Sequence, residues 1–248
     1  MNLHLINLGY GLLDLLFPPN CPGCGLLGLH WCEHCHNKVN KITPPFCEHC
    51  GNPQSLQLKR CDCSQTIPHL DLLRSYAFYL PPLSSAIHQF KYNRDFMLAN
   101  SLAFYLHNMY NEYKLESDII IPVPLNKKRL RERGFNQAGL LANNLAKKVG
   151  LPYVTQALFR TRKTRSQVGL SRLERLANVQ DAFSATPAIV EDKRILIIDD
   201  VTTTGATMEA CAKALKEAGA KVIVGLSIAR ALPTSNGFSD HEIYPTSV

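Results

Sequence analysis

At 248 residues the chain is long enough for one good-sized domain and a small module. Its apolar content is ordinary for a globular protein, and no run reaches the ~18 residues that span a bilayer, which argues against an integral membrane protein. The net charge of +7 is uneven: thirteen Lys or Arg against Glu132 and Glu174 between Lys127 and Arg175 give a local +11, leaving −4 elsewhere. Such a patch points to a polyanion, either a pyrophosphate or a nucleic-acid backbone.

Residues 1–19 begin apolar, but His4, Asn7 and Asp14 interrupt the run. With no basic leader and no small-residue cleavage site, they read as an amphipathic helix packing on the body rather than a signal peptide. After Pro18-Pro19, residues 20–66 hold eight of the nine cysteines as close pairs: Cys21/Cys24, Cys32/Cys35, Cys47/Cys50 and Cys61/Cys63. A two-residue gap lets both sulfurs of a knuckle reach one tetrahedral ion, so eight thiolates suit two structural Zn2+ sites. Sequential pairing needs only short loops, and crossed pairing remains open. Clustered cysteines without a secretion signal favour metal over disulfides and a reducing, cytoplasmic location. Cys211 reads as a small buried apolar residue.

Residues 67–232 alternate strands with helices, the pattern of a parallel doubly wound α/β sheet. The expected elements are a strand over 72–79, helices over 84–92 and 96–110, and a buried strand over 118–125. A cationic loop then runs to Gln137, followed by a helix over 137–149 and a strand over 153–159. Residues 160–175 form a basic loop entering a short helix. A central strand over 193–199, a helix over 207–218 and a strand over 221–228 complete the domain. The polar tail, 233–248, reads as loosely held.

Four apolar residues, Ile195 to Ile198, lead into Asp199 and Asp200, and then into Thr202-Thr203-Thr204-Gly205-Ala206-Thr207. Backbone N–H groups at a helix start and threonine hydroxyls suit a phosphate, while adjacent acids at a strand end can accept from a ribose diol. The loop Pro122–Gln137 offers cations and amides to a second anion, and 160–167 could close over both. A ligand with phosphate, diol and pyrophosphate in line would use all three. Mg2+ and arginines would stabilise the departing pyrophosphate.

These residues resemble a known family. Ile195 to Thr207 is similar to the phosphoribosyl pyrophosphate (PRPP) motif of type I phosphoribosyltransferases. Nearly the whole chain resembles the ComF family, through the Leu-Phe-Pro-Pro-Asn-Cys entry to the cysteines, Phe90-Lys-Tyr92, Ile121-Pro-Val-Pro-Leu125, Arg133-Gly-Phe-Asn-Gln137 and Thr164-Arg-Ser-Gln167. The resemblance implies a zinc-ribbon module before a type I phosphoribosyltransferase-like domain. Asp199 and Asp200 would take the ribose hydroxyls, and Val201 to Thr207 the 5-phosphate region. Pro122, Val123, Pro124 and Leu125, with Arg129, Arg133, Asn136 and Gln137, would lie at the pyrophosphate. Asp199, Asp200 and Arg165 are the expected catalytic residues, with Mg2+ accompanying PRPP. No base-reading hood is recognisable, so the acceptor is unidentified. The family further implies handling of single-stranded DNA with DNA-uptake machinery. The competing expectation is a non-catalytic nucleic-acid-binding protein using residues 127–175, with PRPP as a regulatory ligand.

Overall fold

The computed structural model describes residues 18–54, 61, 63–93, 95–161 and 181–231. The expected N-terminal helix, the basic segment containing Arg165, and the tail lie outside the described residues.

Strands β1 (Leu72–Phe78), β2 (Ile119–Pro122), β5 (Arg194–Thr202) and β6 (Val222–Arg230) form a wholly parallel sheet in the order β1-β6-β5-β2. Between β2 and β5 the chain adds a short antiparallel hairpin, β3 (Leu158–Arg160) with β4 (Phe183–Ala185). The helices are α1 (Glu33–Asn37), α2 (Cys63–Thr66), α3 (Leu83–Tyr92), α4 (Leu98–Glu112), α5 (Lys127–Arg133), α6 (Gln137–Val149), α7 (Pro187–Val190) and α8 (Ala206–Glu217).

Parallel strands joined by helical crossovers are covered on both faces, so their sequences run continuously apolar. Side chains alternate across the sheet. Ile119, Ile121, Ile195, Ile197 and Ile223 therefore enter one core with Met208, Cys211 and Leu215 of α8. Ile120, Leu196, Ile198, Val224 and Leu226 enter the other, with Phe90 of α3, Leu102 of α4 and Leu141 of α6. Fully burying each such aliphatic side chain is worth about 1.5–3 kcal/mol.

Several expectations need correction. The central strand does not stop at Asp199. Asp199, Val201 and Thr202 stay in register with Ser227, Ala229 and Arg230, because a backbone ladder needs no apolar side chains. The cationic stretch after β2 is not all loop, since it contains α5. Asn126 accepts from the Lys128 amide at 2.8 Å, and Gly134 closes the helix at φ 82°. No residue of α5 is buried, so no apolar period announces it. Of the expected 153–159 strand, only an isolated bridge between Tyr153 and Ile120 precedes β3. The last strand runs beyond its expected end at 228 to Arg230, which is buried.

The cysteines gather sequentially: Cys21, Cys24, Cys32 and Cys35 in one cluster, Cys47, Cys50, Cys61 and Cys63 in the other, with all sulfurs of each cluster within 4.8 Å of one another. Cys24–Cys32, Cys47–Cys63 and Cys50–Cys61 are 3.4–3.5 Å apart, close to the ~3.8 Å edge of a tetrahedron with Zn–S near 2.3 Å. Four soft sulfurs with no open position fit structural zinc. The module docks on the outer edge of β1: Lys41 bridges Ala77, and the Leu73 amide donates to the His49 carbonyl at 2.8 Å. Covering this edge blocks unwanted strand pairing.

Two buried arginines join the second cluster to the sheet. Arg74 donates to the carbonyls of Leu73 at 3.0 Å and Glu48 at 2.5 Å, and Arg230 donates to that of Cys50. Neither has a carboxylate in ion-pair range among the described residues. Burial works against the Arg230 charge, and the sulfurs of Cys50 and Cys61 support it. A zinc ion held by Cys47, Cys50, Cys61 and Cys63 as a tetrathiolate, formally −2, would supply the missing countercharge. Arg230→Met should therefore release one of two zinc ions about 10–100-fold more readily in competitive chelation, leaving the other unchanged. Equal loosening of both ions, or of neither, would contradict this.

Candidate functional site

Beyond Ile198 the alternation of β5 continues into its acids, sending them to opposite faces. Asp200 turns toward α3, where its Oδ2 lies 2.9 Å from Lys91 Nζ. Asp199 turns toward α8, where its charge acts on Cys211 and on Arg160 at the end of β3. Each carboxylate also accepts from the following amide: Asp200 N–H to Asp199 Oδ1 at 2.9 Å, and Val201 N–H to Asp200 Oδ1 at 2.7 Å.

The two acids differ electrically. Burial and the adjacent Asp200 charge push the Asp199 carboxyl up to about 8. Burial opposes the Asp200 charge too, but the ammonium of Lys91 outweighs it and holds that carboxyl below its ordinary value. Lys91 is only 6% exposed. It falls on the buried stripe of α3, one helical turn beyond Ile87 and beside Phe90, and a lysine on such a stripe is the sequence signal for a buried partner.

Past the acids, Thr202 is buried with its Oγ1 lacking a hydrogen-bond partner among the described residues. Thr203 and Thr204 are half-buried, as are Val201 and Thr207. The Thr204 hydroxyl accepts from the Ala206 amide at 3.3 Å as α8 begins. Gly205 has φ +84°, and a Cβ there would press on Leu73 at 3.2 Å and Ile67 at 3.3 Å. Only glycine makes this turn comfortably so close to the core. The turn aims the unsatisfied first-turn amides of α8 at the acid pair's end of the sheet. Glu209, an anion in that turn, is held by the His69 amide at 3.3 Å and by its ring Nδ1 at 2.5 Å.

The second pole starts where β2 ends. Pro122 pairs with Ile198, and the Val123 amide donates to the Ile198 carbonyl at 2.9 Å, holding Pro124 and Leu125 beside β5. Asn136 donates from Nδ2 to the Val123 carbonyl at 3.0 Å. Arg133 donates to Gln137 Oε1 at 3.0 Å and to the Tyr92 hydroxyl at 3.2 Å, and its guanidinium lies 5.0 Å from the Tyr92 ring centre. Gln137 is 2% exposed and its Nε2 has no partner among the described residues. Arg129 is half-buried, and its charge reaches Arg160.

The carboxyl ends of β2 and β5 thus bring together the acid pair, the threonine turn, Pro122–Leu125, Arg133, Asn136 and Gln137. Arg165 lies outside the described residues. Lys91, from the Phe90-Lys-Tyr92 stretch, and Arg160, which opens the basic run, are given no individual place at the ligand by the sequence and are added by long-range folding.

Residues 97–240 match the phosphoribosyl transferase domain family, and residues 12–65 match the double zinc ribbon domain. The chain is similar to Competence protein F of Haemophilus influenzae, 32% identical over 208 residues that cover 81% of this chain and 90% of that protein. It is also similar to DNA utilization protein YhgH of Escherichia coli, 33% identical with 82% and 92% covered. Competence protein ComFC of Bacillus subtilis is 31% identical, with 76% and 78% covered. Among solved structures, adenine phosphoribosyltransferase of Thermoanaerobacter pseudethanolicus shares 20% identity at a TM-score of 0.36, covering 56% of this chain and 83% of the other. The domain match over more than half of the chain, the zinc ribbon before it and relatives above 30% identity agree: the chain belongs to the ComF family.

Proposed function

We propose that the chain binds PRPP with Mg2+ at the carboxyl ends of β2 and β5 and serves in handling incoming single-stranded DNA, with phosphoribosyl transfer to an unidentified acceptor as its reaction. The observation that carries this reading is the acid pair set between two different anion-binding poles. The threonine turn and α8 start suit a monophosphate. The 122–137 region, with Arg133 and Gln137, suits a more highly charged group. The diol of a ribose would lie between them, donating to Asp199 and Asp200.

The residues present fit Mg2+ through their hard carboxylate oxygens, and the ion would neutralise charge on the pyrophosphate as it leaves. This chain's own contribution is to hold Asp200 anionic through Lys91 and to place helix amides and guanidinium groups at the two ends. Asp199 accepts from a diol most strongly once it has lost its proton, which frees both oxygens as charged acceptors. The DNA role draws on the names of the relatives and on α5, an exposed helix carrying five cations against Glu132. Contacts of such a surface with phosphates weaken steeply with salt.

Calorimetric titration with PRPP and Mg2+ tests the reading. Asp199→Asn/Asp200→Asn should lose at least about 100-fold in affinity, since two charge-accepting hydrogen bonds disappear. Unchanged binding in that variant would mean the site is elsewhere.

Asp199 also links function to stability. An unfolded chain releases this proton near 4, whereas the folded chain retains it to about 8. The folded state thus binds the extra proton between these values, and its contribution to stability, full below ~4, is lost as pH rises to ~8. Asp199→Asn keeps the group neutral. It should raise the Tm of the ligand-free protein clearly at pH 8, at ~2–4 °C per kcal/mol, and change it little at pH 4. A lower Tm at pH 8 would contradict the assignment.

A further inference from the structure

We infer that Lys91 binds the diphosphate end of the ligand directly, and that its pairing with Asp200 is the ligand-free position of a cation shared between that carboxylate and an incoming anion. The inference deepens the proposed PRPP site and rests on that reading for the identity of the ligand.

Four observations converge on this pole. Lys91 and Asp200 are both more than nine-tenths buried, with 2.9 Å between Nζ and Oδ2. The charge of Arg133 acts on the same carboxylate, and Lys91 and Arg133 together hold down the protonation of His88 after burial has begun to do so. Two cations thus face one anion, and Arg133 makes no ion pair among the described residues. Gln137, fixed through its Oε1 by Arg133, has a buried Nε2 donor with no partner among the described residues. Finally, α6 starts here without a side-chain cap, because Asn136 is turned to the Val123 carbonyl.

Buried donors on Lys91 and Gln137, beside the half-buried charge of Arg133, are costly unless an acceptor completes them. The matching acceptor is an anion of more than one charge with several oxygens, which is a diphosphate rather than a single phosphate. The threonine turn at α8 already offers the monophosphate pole on the other side of the acid pair. If Lys91 served only to neutralise Asp200, its loss would weaken every ligand that touches the acids to the same extent.

The test compares PRPP with Mg2+, ribose 5-phosphate and inorganic pyrophosphate on the full chain, by calorimetry, in wild type, Lys91→Met and Lys91→Arg. Lys91→Met should lose about 10–100-fold for PRPP and for pyrophosphate, while ribose 5-phosphate changes less than about threefold and Lys91→Arg retains most of the pyrophosphate affinity. Equal losses for PRPP and ribose 5-phosphate, or unchanged pyrophosphate binding, would overturn the inference. Because Lys91→Met strands a buried carboxylate, Lys91→Met/Asp200→Asn is measured beside Asp200→Asn. The pyrophosphate loss must persist in that pair, and its absence there refutes the role. Lys91-dependent pyrophosphate binding in a protein that ignores PRPP would leave the anion site standing and remove the phosphoribosyl reading. PRPP binding indifferent to Lys91 would do the reverse.

Discussion

The alternation of side chains along β5 is the constraint on which the rest of the molecule depends. Its first half must be apolar on both faces, because α8 lies against one and α3, α4 and α6 against the other. The same alternation carries on into Asp199 and Asp200 and gives each a different helix layer as its environment. A pair of identical neighbours in sequence thereby becomes two chemically distinct groups. One faces Lys91 and stays charged; the other, with no such ion pair among the described residues, is pushed by burial and by the first acid toward holding its proton. Two adjacent buried carboxylates could not easily both ionise, and the fold settles which one does.

What was legible in the sequence was local. Ile195 to Ile198 declared a doubly covered strand, α6 begins and ends where its apolar period does, and the cysteine spacing marked four close pairs, which the fold gathers in sequential order. The threonine loop with its one glycine was visible as a phosphate cradle, and the left-handed backbone and close contacts at Gly205 give the reason for that glycine. The rest depended on partners distant in the chain. The extension of β5 past its acids is dictated by β6, and the fate of Lys91 by a strand over a hundred residues away. Helix α5 escaped because it buries nothing, so no apolar period marks it off from the loop around it. Arg160 lay in a run of cations where no single one stood out, and only the hairpin it ends brings it toward Asp199.

The zinc module contributes to the same arrangement from the opposite edge of the sheet. Its second cluster is bonded to β1 and, through Arg230, to the end of β6, the strand that holds β5 in register through its acids. His69, just beyond that cluster, engages Glu209 in the first turn of α8, next to the proposed phosphate pole. The module is therefore a wall of the transferase domain as well as a separate fold. The stability it adds supports a site that is itself costly, with a half-buried acid that prefers to be neutral and donors awaiting an anion.

The central claim is that one extended ligand spans the two poles with its diol at the acids. A crystal structure with PRPP and Mg2+ tests this most directly. The account predicts the 5-phosphate on the amides and hydroxyls of Thr203 to Thr207, the ribose hydroxyls on Asp199 and Asp200, and the pyrophosphate against Arg133 and Gln137. A ligand bound away from the acid pair, or with its phosphate and pyrophosphate ends exchanged, would contradict it.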